Sequence, residues 1–199
     1  MSPFDPGDRD GDPAPDPQPE APTKRMLSWA RNSALYRLSR RMMTEHELAA
    51  AIIRKARTKF EGLSEEHARV LADVAVAFGR DMGALDDRTY AASRLRSATA
   101  SGKSARMIAR KLSEKGVDRE IITETLDGAD DPRAALIFAR KRAFGPFRRV
   151  EGDQQRLSKE LASLARNGFA FDLARRVLDM SRDEAEAELL DGRPAELGS

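Results

Sequence analysis

Residues 104–126 read SARMIARKLSEKGVDREIITETL, and their spacing decides the fold. Ser104 stands just before Ile108 and Leu112, two apolar residues four apart on one helical face, so its side-chain oxygen can satisfy a free amide at the helix start. Gly116 ends that helix, because glycine enters the left-handed conformation at little cost, and Asp118 opens the next one through Ile121, Ile122 and Leu126. The pattern then returns. Leu112, Gly116, Val117, Ile121 and Leu126 match Leu164, Gly168, Phe169, Leu173 and Leu178 at a constant offset of 52, without a gap. Leu48 and Ile52 stand to Ile108 and Leu112 at an offset of 60, the first copy being longer by Phe60 to Glu66. Self-similarity at a fixed period marks a repeat architecture. A three-helix unit buries little alone, so the expected fold is all-α: three tandem three-helix repeats stacked in an elongated, curved array.

Caps and breakers divide the chain into about nine helices. Thr44 and Glu47 form a capping box, in which the threonine oxygen and the glutamate carboxylate each satisfy a backbone amide. Ser64 begins a helix through His67, Val70, Leu71, Val74 and Phe78; Asp87 opens another through Tyr90, Ala91, Leu95 and Ala98, which stops at Gly102. Asp131 to Ala143, Asp153 to Arg166 and Phe171 to Leu190 complete the set, with Pro146 separating the first two. The expected boundaries are residues 28–85 for a divergent first repeat, 86–130 for the second and 131–191 for the third, with a flexible C-terminus at 192–199. Residues 1–27 are expected to form a disordered acidic tail: residues 1–22 hold seven of the ten prolines and six acidic residues against Arg9 alone.

The absence of cysteine excludes disulfides, thiolate metal sites and a cysteine nucleophile. Neither a secretory signal nor about eighteen consecutive apolar residues occurs, which places the protein in the cytoplasm and away from membranes. Gly102, Lys103 and Ser104 imitate the end of a phosphate-binding loop, but Ser97 stands where the first glycine belongs and a helix precedes it where a strand is needed. His46 and His67 lie on different helices with no carboxylate pattern around them. These features point to no enzyme, no cofactor and no metal. The basic residues are the better lead, because residues 23–199 hold 34 basic against 27 acidic residues, a balance suited to an anionic partner. Lys103, Arg106 and Arg110 follow one face, Lys111 and Lys115 the adjacent ridge; Arg140, Lys141 and Arg142 precede Arg148 and Arg149 across Pro146, and Arg175 and Arg176 follow. Such clusters can track a phosphate backbone or meet an acidic patch. Phe144 and Phe147 are the only aromatics interleaved with them, and hydrophobic anchoring accounts for these equally well.

The run Leu85, Asp86, Asp87, Arg88, Thr89, Tyr90, Ala91, followed by Gly102, Lys103, Ser104 and by Ile108, Leu112, Lys115, Gly116 and Val117, resembles the central repeat of the RecX family. Gly168, Phe169, Asp172 and Val177 resemble the glycine, aromatic and helix pattern of that family's third repeat. The first repeat, with Met42 to Leu48, follows the family only loosely. The resemblance implies a monomeric, non-enzymatic regulator of recombination, DNA repair and the SOS response. Its partner would be the RecA filament on single-stranded DNA, in whose groove it would lie, bridging protomers and inhibiting extension, ATP hydrolysis and strand exchange. The alternatives are a direct DNA-binding protein, because tri-helical units with an arginine-rich third helix also occur in helix-turn-helix regulators, and a helical adaptor that binds no DNA.

Overall fold

The computed structural model describes residues 21–150 and 152–191. The tail expected over 1–20 and the flexible C-terminus expected over 192–199 lie outside them. Ten α-helices and one 3-10 turn make up the described residues, and no strand occurs among these.

The first unit contains α1 (Lys24–Leu38), α2 (Glu45–Lys59) and α3 (Glu65–Asp81). α1 begins inside the segment expected to be a tail. The Thr23 side chain accepts from the Met26 amide, and Met26 and Leu27 pack against the first core, so a cap and an apolar anchor start the helix directly behind Pro22. α2 carries the expected capping box at Thr44 and Glu47, and Ser64 caps α3. Ala30 and Ala34 let α1 approach closely, and they join Leu48, Ile52, Ala56, Leu71, Ala72, Ala75 and Leu85 in one cluster. Trp29 meets Phe60 edge to face, with ring centroids 5.2 Å apart. Burial of Leu48, Ile52 and Leu71 stabilises the unit by roughly 1.5–3 kcal/mol for each side chain.

The second unit, α4 (Asp87–Ala100), α5 (Ala105–Glu114) and α6 (Arg119–Leu126), closes over Tyr90, Ala91, Ile108, Leu112 and Val117. The third contains α7 (Asp131–Arg142), α8 (Gln154–Arg166), α9 (Phe171–Asp179) and a fourth helix, α10 (Arg182–Asp191). Residues 171–190, expected as one helix, break at Met180 and Ser181. There the Ser181 amide and hydroxyl both donate to Glu184, and the Glu184 amide donates back to the hydroxyl, which starts a new helix despite the continuing apolar pattern. Six successive residues of α7, Ala134 to Ala139, are buried, so this helix is enclosed on all sides. It packs on α4 of the second unit and on α9 and α10 of its own. Pro146 lies in the 3-10 turn Gly145–Phe147 that follows, where Phe147 and Phe144 join the third core, in keeping with hydrophobic anchoring.

The units are joined by the same hydrogen bonds twice. At the first joint the fully buried Thr44 hydroxyl caps α2 and donates to the Lys115 carbonyl at the end of α5, 2.7 Å away. At the second, the fully buried Ser104 hydroxyl caps α5 and donates to the Asn167 carbonyl at the end of α8, 2.6 Å away. A second bond accompanies each: the first amide of α2, Glu45, donates to Asp87 at 3.0 Å, and the first amide of α5, Ala105, donates to Asp131 at 2.7 Å. Asp87 and Asp131 are the first residues of the helices that open the next unit. Glycine is required beside each joint. A Cβ on Gly116 would overlap His46, and one on Gly168 would stand 2.6 Å from the Ser104 hydroxyl; both glycines also have positive φ, +74° and +87°. The glycine repeat in the sequence therefore records the joints between units as well as the ends of helices.

Candidate interaction surface

The twelve basic residues expected to meet a partner divide into those free to do so and those held within the fold. Arg148 belongs to the second group. Its guanidinium contacts the Glu160 carboxylate at 2.6 and 3.0 Å, Arg156 adds a bond at 3.1 Å, and the Gly145 amide another at 3.0 Å. Glu160 is only 2% exposed. Burial pushes its carboxyl up, but the bonds from Arg148, Gly145 and Arg156 outweigh that and hold it below the ordinary carboxylate range. This cluster ties the turn after α7 to α8, and Arg148 is a structural residue.

Lys115 is also engaged, 2.6 Å from Glu47 across the first joint. Burial raises the Glu47 carboxyl, yet Lys115, the Thr44 amide and Arg41 together bring it below its ordinary value. Arg110 pairs with Glu114 and Arg175 with Asp179, each one turn apart on an exposed face, where such a pair contributes little. Lys141 donates to the Ser101 carbonyl at 3.1 Å, and Arg142 lies over the Phe138 ring.

Lys103, Arg106, Lys111, Arg140, Arg149 and Arg176 are exposed and enter no ion pair among the described residues. The fold does not gather the twelve into one cluster. Lys111 and Lys115 share a cleft of about 270 Å³ with Tyr90 and Arg94, whose guanidinium lies over the Tyr90 ring. Arg140 and Lys141 line another, of about 420 Å³, with Arg133 and the apolar Ile137, Leu189 and Leu190. Arg149 stands with Arg148 on the loop before α8. Arg94 and Arg133 are thus members that reading the sequence missed, since their neighbours are supplied by other helices. A third groove, in the first unit, gathers Arg37, Arg40, Arg41 and Arg54. Arg37, Arg40 and Arg41 stand together in the sequence, and the fold adds Arg54 from α2.

No group of three or more His, Cys, Asp or Glu suited to a metal occurs among the described residues, and no described helix is long and apolar enough to cross a membrane. Tandem helical units carrying exposed cations define an all-helical repeat protein. The model of the second three-helix domain of RecX matches residues 86–126. Over 170 residues the chain is 54% identical to regulatory protein RecX of Agrobacterium fabrum, covering 85% of this chain and 92% of that one. It is 36% identical over 168 residues to regulatory protein RecX of Myxococcus xanthus, covering 81% and 90%. The crystal structure of RecX from Lactobacillus salivarius shares the fold at a TM-score of 0.62 and 22% identity, covering 83% of this chain and 99% of that one. This chain belongs to the RecX family, whose members here are named as regulatory proteins rather than enzymes.

Proposed function

We propose that the chain binds the RecA filament on single-stranded DNA in the cytoplasm and restrains its extension, ATP hydrolysis and strand exchange, acting as a monomer in recombination, repair and the SOS response. The 54% identity to a regulatory protein RecX over most of the chain carries this reading. Three joined units with exposed cations on the second and third support it: each unit offers one weak electrostatic contact, and linkage raises the effective concentration of the next. The units proposed are the expected 86–130 and 131–191, and a first unit through residue 85 that starts with α1 at Lys24 rather than at residue 28.

The test is filament binding by a variant carrying Arg106→Glu, Lys111→Glu and Arg140→Glu, three exposed cations without ion pairs among the described residues. Affinity for RecA assembled on single-stranded DNA with a nonhydrolysable nucleotide is expected to fall at least tenfold at low salt while helicity is kept. The difference should narrow at high salt, where the screening length shrinks to about 3 Å at 1 M. Equal affinity of variant and parent across the salt titration would reject this surface. Failure of the parent to bind the filament at all would reject the function.

A further inference from the structure

The first unit contains a groove of about 390 Å³ between the C-terminal end of α1 and one face of α2, lined by Tyr36, Arg37, Arg40, Arg41, His46 and Arg54 among others. We infer that this groove binds the sugar-phosphate backbone of a single nucleic-acid strand, with Tyr36 stacking on an unpaired base. The inference deepens the proposed function and rests on it for the identity of the strand as DNA.

Three observations carry it. The first is charge. Four guanidinium groups line the groove against one carboxylate, Glu47, and that carboxylate is already engaged by Lys115, the Thr44 amide and Arg41. An oxyanion entering the groove therefore meets uncompensated positive charge, and arginine's fixed fork of donors matches a phosphate well. The second is an unmet donor. Arg37 lines the groove, and its enclosed Nε has no hydrogen-bond acceptor among the described residues, although buried polar groups in proteins are nearly always paired. The third is the aromatic ring. Tyr36 is 59% exposed at the groove, and the Arg40 guanidinium lies over its ring, 4.6 Å from the centroid. An open ring beside arginines is the combination that holds single strands without sequence preference, because every base has a stacking face. Bases already paired in a duplex do not offer that face, which is why a single strand is favoured.

An acidic peptide, such as residues 1–22 of this chain, would use the same arginines but has no use for the ring. The experiment separates the two. The full chain is titrated by fluorescence anisotropy with a labelled oligothymidine, with an abasic oligonucleotide of equal length and with a peptide of residues 1–22, all without RecA. For Arg40→Gln with Arg54→Gln, affinity for both oligonucleotides is expected to fall at least tenfold. The salt dependence should flatten by about 1.4, two phosphates at about 0.7 each. Tyr36→Ala is expected to weaken oligothymidine severalfold and leave the abasic strand unchanged, while Tyr36→Phe keeps parental affinity for both. Oligonucleotide affinities unchanged in the double variant overturn the inference, and if the peptide alone is lost, the occupant is an acidic segment. Equal losses on both strands for Tyr36→Ala overturn the stacking role. Because RecA is absent, these failures leave the filament reading standing, and a failure of filament binding removes only the identification of the strand as DNA.

Discussion

Replacing Ser104 with alanine removes one oxygen that serves two helices in different units. In its own helix the hydroxyl accepts from the Met107 amide at 3.3 Å, and loss of such a cap costs about 1 kcal/mol. Across the joint it donates to the Asn167 carbonyl at 2.6 Å from a fully buried position. With the hydroxyl gone that carbonyl loses its bond in a place water does not readily reach, at a further cost of about 1–3 kcal/mol. The sum, about 2–4 kcal/mol, can be compared with an internal standard. Ser64 caps α3 in the same way, accepting from His67 at 3.1 Å, and makes no bond to another unit among the described residues. Ser64→Ala should therefore cost only the cap, and the difference between the two variants isolates the joint. Urea denaturation followed by circular dichroism measures both. Amide hydrogen exchange on α5 and α8 then reports whether the extra loss falls on the second joint, as a chain of units with nearest-neighbour coupling requires. If Ser104→Ala costs no more than Ser64→Ala, the bond to Asn167 contributes nothing and the account of the joints is wrong.

Glu160→Ala is expected to cost about 3–5 kcal/mol, because it leaves Arg148, only 20% exposed, without its counter-charge; the midpoint of chemical denaturation measures this. Since the folded Glu160 carboxyl lies below its ordinary value, its contribution is complete above the unfolded value near 4.3 and is lost as pH falls through the folded value. A Glu160→Gln chain should therefore lose less stability than the parent over that acidic window, and parallel stability–pH curves would contradict the assignment. Asp87 behaves oppositely, since burial raises its carboxyl even though the Glu45 amide bonds to it and Arg80 lies near. Its folded value exceeds the unfolded one, so stability should fall as pH rises through the window between them. Asp87→Asn, which keeps an acceptor for Glu45 and removes the buried charge, should accordingly be tolerated better at neutral pH than Asp87→Ala, with thermal midpoints as the readout. Gly116→Ala should destabilise the first joint by at least about 1 kcal/mol, through its positive φ and the overlap with His46. His46→Ala should not rescue it, because the Cβ that collides is retained.

Much of this fold is local in origin and hence readable. A cap, a glycine at positive φ and an apolar series are each set by residues within a few positions, and Thr44, Ser104, Gly116 and Gly168 were identified from them. The two misplaced boundaries were local too. At Ser181 and Glu184 a box starts a new helix although the apolar pattern runs through the break, and Thr23 caps α1 directly behind a proline-rich stretch. The surface was less legible for a different reason. Charge is visible in sequence, but whether it is free depends on partners brought from elsewhere: Glu160 lies 12 residues from Arg148, and Glu47 lies 68 from Lys115. A list of arginines and lysines cannot separate Arg148, which holds the fold together, from Arg106, which is exposed without an ion pair among the described residues.

The paired joints give the molecule a direction. At each joint a hydroxyl at the start of a unit's second helix accepts from its own helix and donates to a carbonyl of the next unit. In the third unit α8 starts about a turn earlier than the repeat register gives, and its cap is Asp153, which accepts from the Arg156 amide. An ionised carboxylate accepts but has no proton to give, so among the described residues this cap serves its own helix alone. The joints thus run one way along the chain, each of the first two units giving a hydroxyl proton forward and the next receiving it at a helix-end carbonyl.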